Sequence, residues 1–196
     1  MDKQTAMNCL DEFFKDSHNR KLLNNKDFAN LYISINSYLM QHSYDTENDL
    51  VSYLTEVLLS AGFNPLENLE NMPNRYMCRN KDLESFKVPD NIVMIGDYAF
   101  ARCIHLTNII LPKSLTFINI GLFCGCGIRS IELPKSLKFI YYSAFKECIY
   151  LQHLEIPGGV EKLFDNVFDS CINLIDVKIN EGVEFIDGHV LKVVLH

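Results

Sequence analysis

From Leu83 onward the chain returns to the same pattern every 23 residues, and a period of that size admits few architectures. Leu83, Leu106, Ile128, Leu151 and Leu174 open successive copies at steps of 23, 22, 23 and 23. Six residues on stand Pro89, Pro112, Pro134 and Pro157, with Asn180 in the fifth copy. Phe100, Phe123, Phe145 and Phe168 fall seventeen residues on, followed by Leu191. Cys103, Cys126, Cys148 and Cys171 fall twenty on, followed by Val194. Such self-similarity marks a stacked solenoid, whose units each bury an apolar face only against their neighbours.

Within a copy the offsets assign roles. Positions three and five after the leading residue are apolar (Ile109 and Leu111, Leu154 and Ile156), and they alternate with polar neighbours. Alternation at a period of two predicts a short strand with one face inward, and stacked copies predict a parallel sheet with about 4.8 Å between rungs. The proline that follows has no N–H to donate and ends the pairing. Offsets nine and twelve, such as Leu115 and Ile118, supply a second inward edge. The Phe and Cys columns close the turn. Upstream, Met77-Cys78-Arg79-Asn80-Lys81-Asp82-Leu83 reads as a half-repeat with Met in place of Phe and Asn in place of Cys.

The pattern Leu-x-x-Ile-x-Ile-Pro-x-x-Val-x-x-Ile-x-x-x-Ala-Phe-x-x-Cys resembles the BspA-type leucine-rich repeat over about residues 77–196. Ala99-Phe100-x-x-Cys103 and Ala144-Phe145-x-x-Cys148 carry its signature outright. The second copy departs from it, with Leu122-Phe123-Cys124-Gly125-Cys126 and one residue missing before Ile128. The fifth copy lacks Pro, Phe and Cys, as a terminal unit can. The resemblance implies a curved solenoid with a sheet on its concave side that binds proteins or other macromolecules; many relatives are surface or secreted proteins.

The resemblance does not extend to residues 1–62. Met7, Leu10, Phe13 and Phe14 form one stripe at helical spacing, Phe28, Leu31, Ile35 and Leu39 a second, and Leu50, Leu54, Val57 and Leu58 a third. The expected fold is therefore α+β. An N-terminal three-helix bundle (1–62) caps the first rung, a linker with the half-repeat follows (63–79), and a right-handed leucine-rich-repeat solenoid of about five 23-residue rungs occupies 80–196. The tail Val193-Val194-Leu195-His196 leaves the last rung without a polar cap.

Charge narrows the partners. The net charge is −7 and no basic stripe exists, so a phosphate backbone is not an expected partner, and no membrane is expected either. The N-terminus mixes acids with apolar residues and contains neither a secretory core nor a span of 18 apolar residues. Seven cysteines are an odd number, and four of them share one repeat position. These features make a reducing cytoplasm the expected location.

Catalytic readings are thin. The Cys column is a line, whereas a metal needs ligands around it; Cys124-Gly125-Cys126 lacks a second pair at zinc spacing. Cys103 lies near His105, and His153 near Glu155, but an open sheet excludes little water. No enzyme and no cofactor is expected, and a thiol- or His-dependent enzyme is the alternative. Two surfaces remain. Outward strand positions Lys87, Asn108, Ile110, Glu132, His153, Glu155, Asp176 and Lys178 are free to specify a partner. Phe117, Phe139, Tyr141, Phe164 and Phe185 form an aromatic row outside the core, a second candidate interface. A non-catalytic protein-binding module is the expected function, a stand-alone inhibitor or adaptor of phage or mobile-element origin. A homo-oligomer built through the aromatic row or the C-terminal edge is the third reading.

Overall fold

The inward positions of the first four copies line one continuous core. In the computed structural model the described residues are Leu66, 69–72 and 74–190. They contain β1 (Asn71–Met72), β2 (Ser85–Lys87), β3 (Met94–Ile95), β4 (Asn108–Ile110), β5 (Phe117–Ile118), β6 (Phe139–Ile140), β7 (His153–Ile156), β8 (Lys162–Leu163), β9 (Asp176–Ile179) and β10 (Phe185–Ile186). All pairings are parallel: β1 with β3, β2 with β4, β7 with β9, and β5, β6, β8 and β10 in one row. Partners lie one repeat apart, as in Phe86 beside Ile109 and Leu154 beside Val177.

Turns are as periodic as strands. The carbonyls of Pro89, Pro112, Pro134 and Pro157 each accept the N–H of the residue three on. That residue is Ile92, Leu115, Leu137 or Val160, and all four are fully buried. The proline thus ends the strand and opens the turn that delivers the next core side chain.

At the opposite corner the phenylalanines stack. Phe100, Phe123, Phe145 and Phe168 are buried, with successive ring centroids 6.0, 5.4 and 5.9 Å apart. Phe86 and then Tyr76 lead onto this column at 5.3 and 6.5 Å. Backbone bonds run beside it. Tyr98, Phe100 and Arg102 donate to Ile120, Leu122 and Cys124 of the next rung; Gly121, Phe123 and Gly125 donate to Tyr142, Ala144 and Lys146. This geometry needs two residues per rung in the left-handed region: Arg75 and Arg79, Tyr98 and Arg102, Gly121 and Gly125, Ser143 and Glu147, Asn166 and Ser170. Left-handed backbone costs a non-glycine residue roughly 1 kcal/mol. The inter-rung bonds and the buried rings offset that cost.

Three expectations change. The strand face is not one sheet: Ser130, Ile131 and Glu132 of the third rung form no strand, so β2–β4 and β7–β9 are separate pairs. Copy two reaches Ile128 one residue early, yet the rungs stay aligned at the strand entry, where Gln152 donates to Arg129 as Thr107 does to Glu84. Leu133 is still buried and Ile131 packs against the core, so the side-chain pattern survives where the hydrogen bonds do not. Glu132 is accordingly exposed but off-strand. Next, the segment read as a linker already holds regular structure, because Asn71–Met72 pairs with Met94–Ile95 and Met77 donates to Ala99. Finally, the last rung is looser, with Phe185 and Ile186 exposed. The three-helix bundle of residues 1–62 and the tail with Leu191 and Val194 lie outside the described residues.

Truncating Phe123→Ala should remove the centre of the stack and lower unfolding free energy by about 3–5 kcal/mol. Urea denaturation followed by circular dichroism checks this. A loss under about 1 kcal/mol would show that the column does not hold the rungs together.

Candidate functional site

The cysteines occupy a site of their own, and its chemistry is structural. Each thiol reaches back one rung to the carbonyl of the residue in the Phe column. Cys103 Sγ donates to Met77 O at 2.9 Å, Cys126 to Phe100 at 2.8 Å, Cys148 to Phe123 at 3.0 Å and Cys171 to Phe145 at 3.0 Å. Donation requires the protonated thiol. Burial pushes the Cys103 and Cys171 thiols up to about 12, and those of Cys126 and Cys148 well up. A nucleophile or a metal ligand must be a thiolate, so the column is suited to neither task. Cys124 is only half-buried, and its thiol is raised first by desolvation and then by Glu147. Among the described residues, no three His, Cys, Asp or Glu side chains are grouped to hold a metal.

The outward positions of the strand face are brought together in pairs across rungs. Alternation is strict on β7, where Leu154 and Ile156 are buried while His153 and Glu155 are exposed. His153 Nδ1 contacts Asp176 Oδ1, and Lys178 Nζ lies 2.9 Å from Glu155 Oε1. Asn180 Nδ2 also donates to Glu155 Oε1, at 2.8 Å. The Asn180 bond, then Lys178, hold the Glu155 carboxyl below the usual carboxylate range. Asn180 replaces the repeat proline, which could not have made that contact. On the other pair Lys87 stands beside Ile110 and Ser85 beside Asn108. Ile110 is half exposed, an apolar side chain in a polar face. Glu132, on the rung before β7, is exposed and makes no ion pair among the described residues.

The aromatic row is a real cluster. Phe117 and Phe139 stack at 5.9 Å, Tyr141 touches both at 6.2 Å, and Phe164 stacks on Tyr141 at 4.7 Å. Lys162 Nζ sits 4.5 Å from the Phe164 ring centre, a cation–π contact. All four rings are partly buried, whereas Phe185 at the far end is mostly exposed. Tyr142, absent from the sequence reading, joins the cluster 4.9 Å from Phe164. Its signal was an aromatic pair in one copy beside an aromatic position shared by several.

Period, inward pattern and the Phe–Cys corner identify the repeat, and residues 70–193 match six copies of the BspA type leucine-rich repeat region. The chain belongs to that family. Its structural neighbours are leucine-rich repeat proteins as well. A leucine-rich cell surface protein from Faecalibacterium prausnitzii A2-165 aligns at 27% identity and TM-score 0.54, over 58% of this chain and 30% of that one. The T. pallidum leucine-rich repeat protein aligns at 23% identity and TM-score 0.50, over 56% of this chain and 51% of that one. The chain thus spans about a third and about half of these two proteins. No curated protein matches it. Among the described residues, no helix is long and apolar enough to cross a membrane.

The thiol column fixes a pH dependence. An unfolded thiol ionises near 9.0, and folding raises Cys103 and Cys171 to about 12. Stability from these groups is therefore whole below pH 9 and is lost as pH rises towards 12. Urea midpoints measured across that window should fall, and fall less in the Cys103→Ala/Cys171→Ala protein. Equal slopes for the two proteins would contradict the assignment.

Proposed function

We propose that this chain is a non-catalytic protein-binding module that presents its solenoid surface to a macromolecular partner. Leucine-rich repeat proteins generally serve protein–protein interaction, which supports the class. The observation that carries the reading is the division of side chains on β7 and β9. The inward residues secure the core, while His153, Asp176, Glu155 and Lys178 are exposed yet cross-paired, so a polar pattern is displayed in fixed positions. Ordered charges lose little entropy on binding and discriminate partners by complementarity. The proposed mechanism is steric: a rigid rung stack occludes or tethers its target, as an inhibitor or adaptor would. The amphipathic stripes of residues 1–62 are the proposed cover of the first rung. A reducing compartment is the proposed location, supported by the use of thiols as hydrogen-bond donors.

The test is a pull-down from host lysate with the wild-type chain, Glu155→Arg and Asp176→Arg, followed by affinity measurement on the captured protein. Each reversal should weaken binding about tenfold or more, with folding checked by circular dichroism. Unchanged affinity in both variants would exclude the strand face. Light scattering of the chain alone separates the self-assembly reading, which needs a mass above that of one chain.

A further inference from the structure

The residue missing from the second copy leaves a physical gap. Three copies read Cys103-Ile104-His105-Leu106, Cys148-Ile149-Tyr150-Leu151 and Cys171-Ile172-Asn173-Leu174, whereas the second reads Cys126-Gly127-Ile128. The exposed isoleucines 104, 149 and 172 would form a ridge along the turn. At the second rung that ridge is broken by Gly127. A side chain cannot fill the break from this position, because a Cβ on Gly127 would come within 2.2 Å of the Ile104 carbonyl oxygen.

The break is a hollow of about 710 Å³ with Gly125, Cys126 and Gly127 on its floor. Ile104, Ile149 and Tyr150 are its apolar walls. Arg102 and Arg129 also line it, and both are exposed. Arg102 lies beside Gly125, and the Arg129 guanidinium lies 5.9 Å from the Tyr150 ring centre. Neither makes an ion pair among the described residues, although Glu147 is on the same rim. Lysines 138, 146, 162 and 178, by contrast, are all paired with acids. Lys113 and Lys135 also make no ion pair among the described residues, so what sets Arg102 and Arg129 apart is that both line one hollow beside apolar side chains.

We propose that this hollow receives an acidic residue of a partner peptide, flanked by apolar residues. A guanidinium matches a carboxylate with two parallel hydrogen bonds, and the isoleucines and Tyr150 would cover the neighbouring apolar side chains. An uncharged apolar segment would leave both guanidiniums unmatched. The proposal deepens the protein-binding reading by naming a partner chemistry, but on residues separate from Glu155, Asp176 and Lys178.

The probe is an acetylated, amidated Leu-Asp-Leu tripeptide, compared with Leu-Asn-Leu, titrated into the ¹⁵N-labelled full chain. Blocked termini leave the aspartate as the one carboxylate. The Asp peptide should shift the amides of Gly125, Gly127 and Tyr150 and bind about tenfold more tightly than the Asn peptide. Arg129→Gln and Arg102→Gln should each remove most of that preference, while Glu155→Arg should leave it intact. Inserting one alanine between Gly127 and Ile128 should close the hollow and abolish the shifts. Equal binding of the two peptides, shifts confined to other residues, or no binding of either at about 5 mM would overturn the proposal. Loss of the strand-face partner with peptide binding retained would instead count against the broader reading alone.

Discussion

At the corner where phenylalanine and cysteine meet, each rung is tied to the next in both directions. Phe100 donates its N–H to Leu122 of the following rung, and its carbonyl accepts from the Cys126 thiol of that rung as well as from its own Cys103 N–H. Both backbone groups of a fully buried residue are thereby satisfied in a place where water does not reach. The same full set recurs at Phe123 and at Phe145. An alanine in place of the cysteine would still fit the space but would supply no donor. A serine would donate, yet it would be a poorer apolar filler of the turn. The signature Ala-Phe-x-x-Cys is thus one device: a ring for the core, a thiol for the previous rung, and left-handed residues on either side to aim the amides.

That device was legible in part. The columns of Phe100, Cys103 and their equivalents, the inward strand positions and the turn after each proline were readable because burial imposes one residue type at one offset. The thiol's hydrogen bond was not readable, since a buried cysteine and a cysteine donor look alike in sequence. Nor was the pair of left-handed residues, because Tyr98, Arg102, Ser143 and Glu147 are not types that announce such a conformation; only Gly121 and Gly125 hinted at it. The break in the strand face at Ser130–Glu132 was not readable, because those residues keep the alternation of the paired strands, with Ile131 against the core and Glu132 exposed. Asn71–Met72 was hidden for a different reason: two residues carry no periodicity, and nearby proline and asparagine read as a loop.

For function, the separation of duties matters most. Core and corner are specified by a handful of repeated residues, so the strand face and the turn after each cysteine can vary without loss of the fold. His153 with Asp176 and Glu155 with Lys178 show that variation used to order a surface. The short second copy breaks the isoleucine ridge and leaves a hollow there. The aromatic cluster of Phe117, Phe139, Tyr141 and Phe164 is partly buried within itself, which makes it as much a brace along the β5–β6–β8 row as a contact surface.

Native-state hydrogen exchange at the corner amides tests the central claim most directly. If the corner ties rung to rung, the amides of Phe100, Phe123 and Phe145 should exchange together and only through global unfolding. Cys126→Ala, which removes the donor to Phe100, should then speed all three by a common factor. Fast exchange at these amides in the wild-type chain, or acceleration confined to a single rung, would contradict a coil whose turns depend on one another.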